Sequence, residues 1–493
     1  ESMTLLKNDN NILPLRKDMK IALIGPNAND SVMQWGNYNG FPSHTSTLLS
    51  SIQKRLPEAN ITYLAACDHT SKMGLESLFS QCDIDGKQGF RASYWNTTGE
   101  YDSAKPEVTV YSSQPFHLTT AGATCFAPGV RLGHFTGEYE TVFHATRTEE
   151  IVFSLQLMGW MHVYINDEHA YYGGNMKAAK AFAINVEAGK DYKIRAVYQA
   201  TEGDCASFNF DFGREAPLDM DATVNAVKDA DVIIFAGGIS PQLEGEEMPI
   251  QIPGFRGGDR EIIELPEVQT MLLEHLKPLG KPIVMVNYSG SAIALTKESA
   301  LCDAILQAWY PGQAGGEAVA ETLFGEYNPA GRLPVTFYAS TADLPDFEDY
   351  TMSNRTYRYF KGTPLYAFGH GLSYSTFNYG KAKLSSKKIA KGESLIVTVP
   401  VKNTSKICGD EVVQVYLQRV GDSEGPTHAL RGFKRVNISA GATANVDIIL
   451  SADELQWFDT ETNTMRVIPG KYAVLYGPSS DMSKLHRAEF VIR

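Results

Sequence analysis

Three glutamates, Glu244, Glu246 and Glu247, crowd into the segment Leu243-Glu244-Gly245-Glu246-Glu247-Met248, just past the apolar run Asp231-Val232-Ile233-Ile234-Phe235-Ala236-Gly237-Gly238. Carboxyls this close repel one another when ionised, which raises their pKa values and makes one of them a candidate proton donor near neutral pH. The carboxyl end of a buried strand is also where open α/β sheets place functional groups. The chemistry such a cluster can do is general acid/base catalysis. Solvated surface turns contain glutamates too, and on residue types alone that is the commoner reading.

Other residues of reactive type read as structural. Asp259-Arg260, after Gly257-Gly258, reads as a loop-fixing ion pair. Trp35, Tyr38 and Asn39 follow an early strand end and could flank a ligand, although Trp35 suits core packing at least as well. His370 stands between two glycines, but no serine or cysteine nucleophile motif accompanies it and G-x-S-x-G does not occur. Glu317 opens a helix and reads as a partner of its N-terminal dipole. Cys67, Cys82, Cys125, Cys205, Cys302 and Cys408 are scattered without a C-x-x-C pair, so no zinc site is expected. Six buried free thiols are the simplest account, with a Cys125–Cys205 pair left open.

The elements that must position the acidic loop alternate between strand and helix. Met19-Lys20-Ile21-Ala22-Leu23-Ile24 runs into Gly25-Pro26-Asn27, Lys281-Pro282-Ile283-Val284-Met285-Val286-Asn287 is a second buried run, and Cys302 to Trp309 a further one. Val268 to Leu276 has helical spacing with Pro278 and Gly280 as its stop, and Gly316 to Leu323 reads as a small-residue helix. Such alternation predicts a mainly parallel sheet covered on both faces. The G-x-G-x-x-G spacing is missing after Gly25, which disfavours a dinucleotide and leaves no cofactor implied. From about Asp83 to Arg214 the period shifts to two, as in Glu149-Glu150-Ile151-Val152-Phe153-Ser154-Leu155-Gln156-Leu157, which predicts an inserted antiparallel β-sandwich. Residues 377–493 are again all-β, reached through a Tyr-, Gly- and Asp-rich loop, Leu344 to Tyr374.

The fold class expected is therefore α/β plus all-β: an open α/β sandwich (1–82 and 216–343) split by an inserted β-sandwich (83–215), a linker (344–376) and a terminal β-sandwich (377–493). A length of 493 residues suits about three domains. The net charge of −13 disfavours nucleic acid and anionic membrane surfaces as partners. No apolar run is long enough to span a bilayer, and Glu1 to Leu15 lack the basic-then-apolar pattern of a signal peptide.

Several motifs, in order along nearly the whole chain, resemble glycoside hydrolase family 3. They include Ile24-Gly25-Pro26-Asn27-Ala28 with Gly36-Asn37-Tyr38-Asn39-Gly40, Tyr310-Pro311-Gly312-Gln313-Ala314-Gly315-Gly316-Glu317-Ala318 and Asn328-Pro329-Ala330-Gly331-Arg332-Leu333-Pro334. Tyr366-Ala367-Phe368-Gly369-His370-Gly371-Leu372 and Leu430-Arg431-Gly432-Phe433 resemble the approach to, and body of, the family's fibronectin type III-like domain. Gly89-Phe90-Arg91-Ala92-Ser93-Tyr94-Trp95 and His162-Val163-Tyr164-Ile165-Asn166-Asp167 resemble an inserted protective-antigen-type module, without the adjacent aspartates of its calcium-dependent sugar binders.

The resemblance implies a retaining exo-β-glycosidase acting on oligosaccharides without a metal. Terminal β-D-xylose is the first substrate expected and β-glucose the alternative; a non-catalytic carbohydrate-binding assembly is the rival of another class. Glu246 is implied as general acid/base, with Glu244 second and Glu247 third. The nucleophilic aspartate and most sugar-binding residues would lie in an N-terminal barrel that this chain lacks, so the chain alone is expected to be inactive. A periplasmic or extracellular location is implied, and a homo-oligomer is left open.

Overall fold

The computed structural model of the chain describes residues 1–36, 40, 42–120, 123–200, 206–244 and 251–493, without the side chains of residues 175–179 and 251. Its first unit is a six-stranded sheet in the order Thr4–Asn8, Ala304–Gln307, Ile283–Tyr288, Val232–Gly238, Ile21–Ile24, Ile61–Leu64. All neighbours are parallel except Thr4–Asn8, which pairs antiparallel with Ala304–Gln307. Successive side chains of a strand point to opposite faces. Both faces are covered, so the strands Ile21–Ile24, Val232–Gly238 and Ile283–Tyr288 are buried along their whole length and mostly apolar. Ile234 and Val286 pack beneath helices Leu48–Gln53 and Gly315–Leu323 on one face. Phe235 and Met285 pack beneath Met220–Val227, Glu267–Leu276 and Thr296–Leu301 on the other. Each such buried side chain contributes about 1.5–3 kcal/mol.

The chain leaves the sheet after Ile61–Leu64 and enters an antiparallel sheet of eleven strands. Its outermost strand, Met73–Ser77, pairs with its last, Ser207–Pro217, so the two ends of the excursion lie side by side. The core is aromatic: Phe79, Phe90, Phe116, Tyr139, Phe208 and Phe212 are all nearly or fully buried, with Tyr139 stacked on Phe208 at 4.1 Å. The long strand Glu149–Ile165 buries its odd-numbered residues from Ile151 to Val163 in that core and turns the even-numbered ones from Ser154 to Tyr164 outward.

Residues beyond the linker form two packed sheets, one built on Leu395–Asn403 and Thr443–Leu450, the other on Gly409–Arg419, Gly470–Gly477 and His486–Ile492. Val397, Val399, Val415 and Val474 fill the space between them. Cys67, Cys82 and Cys302 are buried, but Cys125 is only partly buried and Cys408, which precedes Gly409–Arg419 in a surface turn, is exposed; the expectation of six buried thiols therefore fails at those two residues. Cys205, and with it the Cys125–Cys205 pairing, lies outside the described residues. No helix of the described residues is long and apolar enough to cross a membrane.

Candidate active site

The chain runs outward from Ile21–Ile24 to Ile61–Leu64, then returns across it to Val232–Gly238 and continues the other way. That reversal places a crevice between the carboxyl ends of Ile21–Ile24 and Val232–Gly238, the point at which such sheets bind ligands. Here the crevice is filled by the protein itself. Buried Asn27 donates to the carbonyls of Gly237 (3.1 Å) and Ile239 (3.2 Å), and its Oδ1 lies 2.7 Å from His69 Nε2. Gln269 accepts from Gly238 N (2.8 Å) and donates to the carbonyls of Gly238 (2.7 Å) and His69 (2.9 Å). Gly238, at φ +115°, allows the approach, since a Cβ there would stand 2.0 Å from the Tyr288 carbonyl oxygen. An amide network at this position speaks against a nucleotide site.

The acidic loop begins directly above. After Gly238 the chain turns once, with the amides of Leu243 and Glu244 both donating to the Ser240 carbonyl. Glu244 then reaches across the carboxyl ends of the next two strands. Ser291, from the turn after Ile283–Tyr288, donates to its Oε1, and Tyr310, beyond Ala304–Gln307, donates to its Oε2 at 2.9 Å. Arg260 Nε stands 3.5 Å from Oε1, with the two side chains 12% and 17% exposed. Gly290 makes this contact feasible, because a Cβ there would meet the Tyr310 ring at 2.8 Å. Trp309, at φ +60°, carries the left-handed turn that directs Tyr310 toward Glu244. Burial, followed by the Glu244 charge, pushes the Tyr310 hydroxyl pKa up, and burial lowers that of Arg260 against the opposing pull of Glu244.

Both oxygens of Glu244 are therefore engaged, and the residue roots the acidic loop to the sheet. Glu246 and Glu247 lie outside the described residues. Arg260 fixes a loop as expected, but its partner is Glu244 and not the adjacent Asp259; it also donates to the Ala292 carbonyl at 2.6 Å. Neighbouring residues of a strand point to opposite sides, so Asp259 and Arg260 cannot face each other. Trp35 donates to Thr45 Oγ1 at 3.2 Å and is half-buried, beside Gln34, whose carbonyl accepts from Gly312 N at 2.7 Å. It thus sits on the rim that carries Tyr310; Tyr38 and Asn39 lie outside the described residues. His370 contacts the Leu6 carbonyl at 2.9 Å and stacks on Tyr366, with burial lowering its pKa, the setting of a structural histidine. Glu317 holds the first turn of its helix and pairs with Lys54 at 2.8 Å.

The inserted sheet meets this rim. Gln156, on its outward face, donates to Gln242 Oε1 at 3.0 Å and accepts from Asn209 at 3.2 Å. Beside this contact runs a cleft of about 580 Å³ whose lining includes Asp30, Asp68, His117 and Asp211. Burial lifts the Asp211 carboxyl to about 6. No cluster of three or more histidine, cysteine or acidic side chains suited to a metal occurs among the described residues. Neither Gln156 nor Ser291 carries a sequence signal, because their partners are 86 and 47 residues away.

Glu244, tied to the ends of two neighbouring strands, and the contact of Gln242 with Gln156 join the α/β sheet to the β-rich excursion. The profile of the Glycosyl hydrolase family 3 C-terminal domain matches residues 3–374. The chain belongs to glycoside hydrolase family 3. A second profile, the Fibronectin type III-like domain, matches residues 411–480. Among relatives of this family 3 chain, the xylan 1,4-beta-xylosidase of Xylanibacter ruminicola is 44% identical over 98% of the chain and 56% of its own length. A beta-glucosidase of Rhizobium radiobacter is 27% identical over 97% of the chain and 60% of its own length. The beta-glucosidase of Kluyveromyces marxianus, solved with glucose, superposes on the whole chain with a TM-score of 0.69 at 24% identity, and the chain covers 60% of it. The chain thus spans a little over half the length of these relatives.

Removing the root of the loop has a measurable cost. Glu244→Ala leaves Arg260 nearly buried without its nearest carboxylate, and is expected to destabilise the protein by on the order of 2 kcal/mol, between the exposed and fully buried cases. The midpoint of urea unfolding reads this directly, and a midpoint equal to that of the unaltered chain would remove Glu244 from its anchoring role.

Proposed function

We propose that the chain is the C-terminal part of a retaining β-glycosidase that releases terminal β-D-xylose from xylo-oligosaccharides. The observation that carries this reading is the 44% identity, across 98% of the chain, to a xylan 1,4-beta-xylosidase. In this reading Glu246 is the general acid/base, Glu244 fixes the loop, and Glu247 is the alternate donor. Retaining hydrolysis needs a second carboxylate about 5–5.5 Å from the first as nucleophile. We place that aspartate in an N-terminal barrel outside these residues, so that the chain alone does not hydrolyse glycosides. Residues 83–215 we read as a protective-antigen-type module.

β-Glucosidase activity is the second reading, favoured by the relatives from Rhizobium radiobacter and Kluyveromyces marxianus. An extracytoplasmic location is supported by a 34% identical stretch of a periplasmic beta-glucosidase from Salmonella typhimurium, which covers 53% of the chain. The test is hydrolysis of aryl β-xyloside and aryl β-glucoside by the barrel-complete protein beside this chain. Activity only in the former, faster on the xyloside, is the expected outcome. Turnover by the chain alone would overturn the assignment of the nucleophile, and a faster glucoside would select the second reading.

A further inference from the structure

We propose that the outward face of the inserted sheet carries a stacking platform, centred on Trp160 and Tyr172, for a β-1,4-linked neutral oligosaccharide that reaches it from the acidic loop. The proposal rests on the reading of that loop as the place where the glycosidic bond is cleaved, although binding to the platform requires no catalysis.

Continuity along one strand carries the argument. Gln156 and Trp160 both point outward from Glu149–Ile165. Gln156 bonds to Gln242, two residues ahead of Glu244. Trp160 follows Gln156 by four residues, across a bulge between Leu157 and Trp160 with Gly159 at φ +125°, so the two outward side chains are at most about 13 Å apart along the strand. A span of that order suits a short oligosaccharide better than one sugar ring held at the loop.

The aromatic geometry is that of a prepared surface. The Trp160 and Tyr172 rings lie 5.7 Å apart and 11° from parallel, with Tyr172 also 4.5 Å from His162. Trp160 is 41% and Tyr172 54% exposed, so each ring keeps a large surface open to solvent. Trp160 stands opposite Gly174 in the neighbouring strand, and His162 opposite Tyr172. A Cβ at Gly174 would come within 2.5 Å of the indole, so glycine at that position lets the ring lie close against the strand. The backbone beneath is held on both sides, since Trp160 also pairs with Gln199 of Asp191–Ala200. Ring orientation is therefore set before a ligand arrives, which limits the ordering cost of binding.

A pyranose ring presents C–H groups on its faces and hydroxyls around its edge. Stacked on an aromatic face it removes apolar surface from water while its hydroxyls stay solvated, the same division of labour that enriches Trp and Tyr at binding surfaces. Burial, and then His169, lower the His162 pKa, which leaves the neutral imidazole beside the platform and suits an uncharged ligand.

The test is binding of xylobiose and xylohexaose to the 493-residue chain, by calorimetry and by retardation in gels containing soluble xylan. Xylohexaose is expected to bind more tightly than xylobiose, and Trp160→Ala and Tyr172→Ala are each expected to weaken it roughly tenfold, the loss of one aromatic contact. Both positions are exposed, and an unchanged melting temperature confirms folding. Absence of xylohexaose binding by the unaltered chain, or binding by both variants as tight as that of the unaltered chain, overturns the proposal, as does a loss of self-association in Trp160→Ala without any sugar affinity. Failure of the acidic-loop reading has a separate signature: full hydrolysis by Glu246→Gln in the barrel-complete protein, with length-dependent binding to the platform intact.

Discussion

Glu246→Gln in the barrel-complete protein is expected to lower kcat/KM on xylobiose by about 10²–10⁴-fold, the usual weight of a positioned proton donor. The loss should depend on the leaving group. A sugar hydroxyl must be protonated as its bond to the anomeric carbon breaks, whereas an acidic phenol departs as the phenolate without help. Aryl xylosides of acidic phenols should therefore form the covalent intermediate at a rate near that of the unaltered enzyme and then stall, because water attacking that intermediate needs the same carboxylate as base. Added azide, an anion that needs no base, should restore turnover and yield the xylosyl azide. The alkaline limb of the kcat/KM profile reports the acid and should disappear in the variant. Melting temperature should not change, in contrast to Glu244→Ala, which removes an anchor. If Glu247→Gln shows azide rescue and Glu246→Gln does not, the proton belongs one residue further on.

Most of the α/β sheet was legible because its strands are buried on both faces. Ile233-Ile234-Phe235 and Ile283-Val284-Met285 have no polar side to interrupt the run, so they read as strands whatever their neighbours. Thr4–Asn8 was not legible as a strand. It contains a lysine and an asparagine, and its partner Ala304–Gln307 lies some 300 residues away. The terminal β unit was legible for the opposite reason: Leu395–Asn403 alternates buried and exposed positions, the signature of a one-sided sheet.

The site divides along the same line. A carboxylate cluster beyond a buried strand is visible in composition and order, but which glutamate is tied to the sheet depends on long-range contacts. Glu244 is committed by Ser291 and Tyr310, at separations of 47 and 66 residues. No local pattern encodes that choice. Asp259-Arg260 misled for a related reason, since adjacent opposite charges look paired in sequence although strand geometry turns them apart. The platform at Trp160 was hidden because period-two alternation shows which residues face outward without showing that Tyr172 and Gly174 stand beside it.

The second large effect expected concerns the join between the α/β unit and the terminal β domain. Arg332, in the loop after Gly331, donates to Glu411 Oε2 at 3.1 Å, and Tyr379 donates to Oε1 at 2.8 Å. The two charged side chains are only 9% and 4% exposed. Burial holds the Glu411 pKa above its ordinary value, against the opposing effects of Arg332 and Tyr379. A carboxyl whose folded pKa is raised binds its proton more readily in the folded state, so its contribution to stability is fullest in acid and falls as pH rises from the ordinary glutamate value through the raised one. Acid therefore does not unlatch this join. Breaking it from either side at neutral pH should cost about 3–5 kcal/mol, because a buried charge is left without its partner. The two sides should then differ with pH. In Arg332→Met the stranded Glu411 can take up a proton, so the loss should shrink between pH of about 7 and about 5 as the carboxyl neutralises. In Glu411→Gln the stranded guanidinium cannot lose its charge and the titrating carboxyl is gone, so the loss should not shrink across the same range and should grow by whatever stability the unaltered chain gains as Glu411 takes up its proton. Urea unfolding midpoints of the two variants and the unaltered chain at both pH values measure the contrast. Parallel losses would mean that shape at the domain boundary, and not the buried charge pair, is what those side chains contribute.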